Sequence, residues 1–186
     1  MIVLYVRRSS LHTNPIQRRS RWWWVLEFLV ILLIVLGFRA WNQSGLITGA
    51  APPFKAEMIS GERVELIDYR GEPLLLYFWH PDCIMCQLQQ ATLSELAKNH
   101  SVLTLVRAQH KEQLLAYMEE RNISGWPTII DEQGIIHRQF AVKATPTHYI
   151  IDGEGMIRFR EIGLSTGWGL RLRLWFAGEQ MEDEGI

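Results

Sequence analysis

Leu74-Leu75-Leu76-Tyr77-Phe78-Trp79-His80-Pro81-Asp82-Cys83-Ile84-Met85-Cys86 is the stretch whose reading decides the fold. Its first six residues form a continuous apolar run between Pro73 and His80-Pro81, the pattern of a central strand buried on both faces. From Cys83 onward, Leu88, Ala91, Thr92, Glu95 and Leu96 place an apolar and a polar side at helical spacing, which predicts a helix over 83–98. The two cysteines therefore stand just after a buried strand, at the start of a helix.

Outward from this junction, short β-like runs alternate with longer helical ones, the signature of a sheet covered by helices. Residues 54–67 hold two strand-like pieces around Ser60-Gly61, a hairpin leading into Tyr69-Arg70-Gly71. Strands are expected at 101–108, 128–131, 135–140, 148–152 and 156–162, and a helix at 111–121. Ser165 is expected to cap a last helix that buries Trp168, Leu172 and Trp175 at i, i+4 and i+7. No internal repeat is present.

Toward the N-terminus, residues 22–41 are apolar except for Glu27 and Arg39, and 28–38 carry no polar side chain. That approaches the ~20 residues needed to span a bilayer, with Trp22-Trp23-Trp24 at the interface. Arg7, Arg8, Arg18, Arg19 and Arg21 precede the run with no acidic residue, which orients the N-terminus to the cytoplasm and exports the rest. A buried core helix would carry a polar stripe that this run lacks. A cleaved signal peptide has small residues available at Thr48-Gly49-Ala50, but the apolar run exceeds the usual ~7 to 15 residues. The reading is an uncleaved anchor. The expected organisation is a basic cytoplasmic N-terminus (1–21), a transmembrane anchor (22–41), a linker (42–53), one globular domain (54–178) and an acidic tail (179–186). A net charge of -1, with no basic stripe along the domain, argues against a nucleic-acid partner.

Cys83 and Cys86 are the only cysteines. A bridge closing so short a loop stabilises little, so the pair is chemical and not a structural framework. On one helical turn their Cα atoms fall within the ~4.4 to 6.8 Å that a disulfide needs. Cys83, where unpaired N–H groups and the helix dipole favour a thiolate, is the expected nucleophile. Cys86, one turn in, is the expected resolving thiol. The alternative is a copper-handling module in which Met85 or His80 joins the cysteines. Zinc is disfavoured because no second Cys-x-x-Cys or paired histidines complete four ligands. Peroxidase chemistry is disfavoured too, since His80 and not Thr stands three residues before Cys83. The reading invokes no cofactor.

Over about 54–177 the chain resembles thioredoxin-like proteins of the TlpA/ResA kind. It looks most like the anchored periplasmic disulfide oxidoreductases linked to suppression of copper sensitivity (the ScsD type). The residues that carry this are Phe54, Gly61, Leu66, Tyr69-Arg70-Gly71, Pro73, the run 74–86, and Ala144-Thr145-Pro146-Thr147 before Tyr149-Ile150-Ile151-Asp152. The resemblance implies a thioredoxin fold with an N-terminal β-hairpin and a central helix-strand insertion around 111–131, here preceded by one transmembrane helix. It implies that Pro146 is the cis-proline facing the dithiol, with the Thr145 backbone free to pair with a substrate strand. Trp126-Pro127-Thr128 is then only a turn before a strand.

The resemblance also implies protein thiol and disulfide substrates and reduction in preference to oxidation. A membrane-embedded thiol reductase would be the electron donor, and the catalytic domain would lie in the periplasm at a bacterial inner membrane. Three features depart from the family pattern. Ile84-Met85 stands between the cysteines, Asp82 precedes them, and His80-Pro81 replaces small residues. A carboxylate at Asp82 is expected either to oppose the Cys83 thiolate or to cap the helix. Trp79 is expected to pack beneath the dithiol, and Gln89 leaves no carboxylate three residues past Cys86 to take its proton.

Overall fold

The structure, a computed structural model, describes residues 21–43, 45–108 and 110–183. It divides into two compact units, Met1–Ala40 and Trp41–Ile186. The described part of the first is helix α1 (Arg21–Gln43) up to Ala40, and every large apolar side chain from Trp22 to Leu36 is exposed. Its described side chains, Trp22 to Gly37, reach about 24 Å at 1.5 Å per residue. Among the described residues no helix is long and apolar enough to cross a membrane. The arginine-rich segment 1–20 lies outside the described residues.

The second unit is a thioredoxin-like α/β fold. Its sheet has the order β1 (Gly49–Ala50), β8 (Met156–Ile162), β7 (Thr147–Ile151), β4 (Leu74–Trp79), β5 (Ser101–Val106), β6 (Thr128–Ile130). Strand β4 (Leu74–Trp79) is central, parallel to β5 (Ser101–Val106) and antiparallel to β7 (Thr147–Ile151). Helix α2 (Ile84–Leu96) connects β4 to β5, and α3 (Lys111–Glu120) connects β5 to β6 (Thr128–Ile130), the expected helix-strand insertion. Strand β8 (Met156–Ile162) pairs with β7, and α5 (Gly167–Asp183) ends the unit. The expected hairpin is present as β2 (Lys55–Glu57) and β3 (Arg63–Glu65), a separate two-stranded sheet.

Alternation along β4 feeds two cores. Leu75, Tyr77 and Trp79 join Cys86, Leu93 and Leu96 of α2 and Leu170 and Leu174 of α5. Leu74, Leu76 and Phe78 join Phe54, Phe140 and Tyr149 on the other face. All six β4 residues are buried, as the unbroken apolar run predicts.

Four expectations change. The linker 42–53 does not stand apart from the domain: Leu46 is buried in the same cluster as Phe54, and β1 (Gly49–Ala50) pairs with Met156 and Ile157 at the sheet edge. The strand expected at 135–140 is a helix, α4 (Ile135–Gln139). Ile135-Ile136 reads as β-branched strand, but the Asp131 carboxylate accepts the N–H groups of Ile135 (2.7 Å) and His137 (2.8 Å), and this caps a helical turn.

The last helix turns a different side inward. It buries Leu170, Leu174 and Ala177, while Trp168 and Trp175 are 70% and 53% exposed. Both sides of α5 are apolar, so periodicity alone could not choose between them. Thr166 caps it, its hydroxyl accepting the Gly169 N–H at 3.3 Å. Finally, α5 runs on to Asp183, so most of the tail expected to fray is helical.

Candidate active site

Strand β4 delivers the chain to the dithiol through His80-Pro81-Asp82. The helix starts at Ile84 because Cys83 itself is its cap, with extended backbone (φ -86°, ψ 107°) and a sulfur that accepts the Cys86 N–H at 3.2 Å. Both cysteines are free thiols, Cys83 half-buried and Cys86 buried. The Cys83 thiol donates to the Thr145 carbonyl at 3.3 Å. The Thr145–Pro146 bond is cis, whereas Pro127 sits in the turn before β6 with its carbonyl accepting the Thr104 N–H. Cys83, Cys86, Thr145 and Pro146, predicted from distant parts of the sequence, thus meet at one point.

The two thiols are unequal. Burial alone would raise the Cys83 pKa. Hydrogen bonds from the Cys86 and Thr145 side chains and from the backbone N–H groups of Cys86 and Met85 outweigh it, so the thiol sits below its ordinary value. Cys86 goes the other way: burial, then its hydrogen bond to Cys83, hold it well above the thiol range. One sulfur is prepared to attack, and the other keeps its proton.

A cleft of about 700 Å³ opens beside this pair. Its wall includes Trp79, His80, Asp82 and Thr145. Trp79 is buried and packs edge-on to Trp126, with centroids 5.8 Å apart. Asp82 does not cap the helix. Its side chain is 93% exposed and its N–H donates to His80 Nδ1 at 3.2 Å. Among the described residues no group of three or more His, Cys, Asp or Glu side chains is placed to hold a metal ion.

Sequence reasoning missed two neighbours. Gln89, noted only for not being a carboxylate, clips α2 to the loop before α5: its amide donates to the Ser165 carbonyl at 2.7 Å and accepts the Ser165 N–H at 3.0 Å. Tyr77, read as one more apolar strand residue, lies in the core with Cys86, next to a buried His148. A tyrosine inside the apolar run of β4 and a histidine inside β7 were the available signal.

A helix-capping dithiol facing a cis-proline across a thioredoxin-like sheet defines a protein-disulfide oxidoreductase. The chain belongs to the AhpC/TSA family, whose profile matches residues 47–160. It is 28% identical to the thioredoxin-like protein YneN of Bacillus subtilis over 159 residues, covering 77% of this chain and 91% of that one. It is 26% identical to the thiol-disulfide oxidoreductase ResA of Bacillus cereus over 156 residues (76% and 90%). It is 29% identical to the thiol:disulfide interchange protein DsbE of Vibrio cholerae over 126 residues (65% and 67%). Among solved structures, the exposed lipoprotein thioredoxin Etrx1 of Streptococcus pneumoniae shares the fold. Its TM-score is 0.62 at 24% identity, covering 67% of this chain and 99% of that one.

Proposed function

We propose that this chain is an exported enzyme, held by a single span in a bacterial inner membrane, that reduces protein disulfides on the periplasmic side. Cys83 attacks a substrate disulfide, giving a mixed disulfide and one substrate thiol. Cys86 then attacks Cys83, releasing the second thiol and leaving the Cys83–Cys86 disulfide. A membrane-embedded thiol reductase returns the two electrons. Thr145 and Pro146 dock the substrate segment, Trp79 packs beneath the dithiol, and Asp82 stands on the cleft wall.

The observation that carries the reading is the inequality of the thiols. Cys83 is lowered and half-buried, while Cys86 is raised and buried, so attack on a substrate precedes closure of the internal disulfide. The anchor is supported by the apolar stretch 22–41, whose twenty residues as helix match a ~30 Å hydrocarbon layer, and by the five arginines before it. Its last four side chains lie outside the described ones.

Trapping the in-cell redox state with a thiol-alkylating mass tag tests the direction. The dithiol is expected to be largely reduced and to become oxidised when the transmembrane reductant is deleted. Equal oxidation in both strains would sink the reductase reading. Retention in the membrane pellet after an alkaline carbonate wash tests the anchor, and release of the full-length chain would count against it.

A further inference from the structure

Beneath Cys86 lies a buried polar pair that the exchange steps above leave without a task. Tyr77 of β4 and His148 of β7 are register partners on adjacent strands, with ring centroids 5.0 Å apart. Tyr77 is 0% and His148 2% exposed. Neither the Tyr77 hydroxyl nor either ring nitrogen of His148 has a hydrogen-bond partner among the described residues. Leaving a buried polar group unpaired costs about 1–3 kcal/mol, and such groups in a native core call for a reason. Tyr77 and Cys86 share one buried core, on the side of the sheet that α2 covers. Burial, followed by the charge of Cys86, raises the Tyr77 phenol far above its ordinary value.

We propose that the Tyr77 hydroxyl serves the resolving step as the hydrogen-bond donor to the Cys86 thiolate. This rests on the reading of Cys86 as the resolving thiol. In the mixed disulfide, Cys83 Sγ is bonded to a substrate sulfur. Cys86 gives up its proton to solvent, its sulfur attacks Cys83 Sγ, and the bond from Cys83 to the substrate breaks. The substrate sulfur leaves with the electron pair and takes up a proton. The substrate is reduced and the dithiol is oxidised by the same two electrons.

A hydroxyl can rotate. Unpaired at rest, it can turn to donate once the Cys86 sulfur is ionised. It stays neutral throughout, because its pKa is raised. His148 is not the proton acceptor: burial, with Arg173 adding, holds it down at about 3, far below the raised Cys86 thiol. Its ring instead closes the far side of Tyr77. The other ionisable groups around the cluster are Cys83 from the cap of α2, Tyr117 from α3, Arg173 from α5, and Glu161 of β8. Glu161 is the register partner of His148 and is ion-paired to Arg173.

The test is Tyr77→Phe in the full-length chain, read through each thiol separately. In a Cys83→Ala background the alkylation midpoint of Cys86 is expected to rise by about one pH unit, the equivalent of a tenfold weaker thiolate. In a Cys86→Ala background the Cys83 midpoint should stay in place. Closure of a preformed mixed disulfide with a cysteine peptide should slow about tenfold, the same factor in rate. Thermal stability should hold or increase, since an unpaired hydroxyl is lost. 3-Fluorotyrosine at position 77, a stronger donor of nearly the same shape, should move the Cys86 midpoint down.

An unmoved Cys86 midpoint, or equal shifts at both cysteines, would overturn the role of Tyr77. If Cys86→Ala accumulates no mixed disulfide with the peptide, the resolving reading itself falls, and the proposal with it.

Discussion

Acid is expected to destabilise the domain through His148, and the size of the effect can be worked from its surroundings. The ring is buried and unpaired, and burial, with Arg173 adding, holds its folded-state pKa at about 3 against an ordinary 6.5. Between those values the unfolded chain binds a proton that the native chain refuses. The stabilisation from a neutral His148 is therefore complete above pH 6.5 and is lost as pH falls toward 3. At about 1.4 kcal/mol per pH unit this amounts to about 5 kcal/mol, comparable to the whole stability of a marginal domain.

His148→Phe keeps a ring against Tyr77 and removes the titration. Urea unfolding of the full-length wild type and variant, from about pH 7 down to about pH 4, gives two stability curves. The wild-type curve should fall more steeply by one proton's worth of slope. His137 and His100 are also lowered, first by burial, and their contributions stay in both curves, so the difference isolates His148. Parallel curves would refute the reasoning.

Gln89→Leu leaves the Ser165 N–H and carbonyl without their partners and is expected to cost about 2–5 kcal/mol in urea unfolding; a loss below about 0.5 would mean the clip is dispensable. Thr145→Val removes one of the hydrogen bonds that lower Cys83, so the pH midpoint of its alkylation should rise by up to about one unit, and an unchanged midpoint contradicts the assignment. Asp131→Ala strips the acceptor from two N–H groups of α4 and from His137 Nδ1, and thermal unfolding should show a loss of about 2–4 kcal/mol. Full retention of stability there would show that α4 is held by Ile136 and Phe140 packing alone.

The central strand, the helix after it and the meeting of Cys83 with Pro146 were legible because each has a local signature: an unbroken apolar run, helical spacing, a Cys-x-x-Cys at the junction, and a matching motif before β7. What escaped depends on contacts between segments far apart in sequence. Ile135-Ile136 has the composition of a strand, and only the Asp131 carboxylate accepting from Ile135 and His137 makes it helical. Helix α5 offers two apolar sides, and which one faces β7 is decided by Leu170 and Leu174 fitting against α2 and the sheet. Leu46 and β1 looked like tether because Gly, Ala and Pro describe a flexible segment equally well as a short edge strand. Tyr77 was hidden by its own strand, since a buried hydroxyl and a buried methyl give the same periodicity.

Of the two causes the sequence suggests for a reactive Cys83, unpaired N–H groups and the helix dipole, only the first separates it from Cys86. Both stand on the first turn of α2, so the helix dipole favours ionisation of both and cannot separate them. Separation comes from where each sulfur meets water and backbone. Cys83, capping the helix, keeps its solvent access and gains the N–H groups of Cys86 and Met85. Cys86 shares the core with Tyr77 and Trp79, where burial and its hydrogen bond to Cys83 outweigh the bonds from His80 and Thr145. Asp82, the residue expected to oppose the thiolate, is not among the groups that move Cys83, because a carboxylate 93% exposed is screened by water. The side chains of Ile84 and Met85 are likewise exposed, and it is the backbone of Met85 that reaches the sulfur. The difference in ionisation is thus carried by burial and by hydrogen bonds from Cys86, Thr145 and the main chain, which leaves the side chains between the cysteines free to vary as surface.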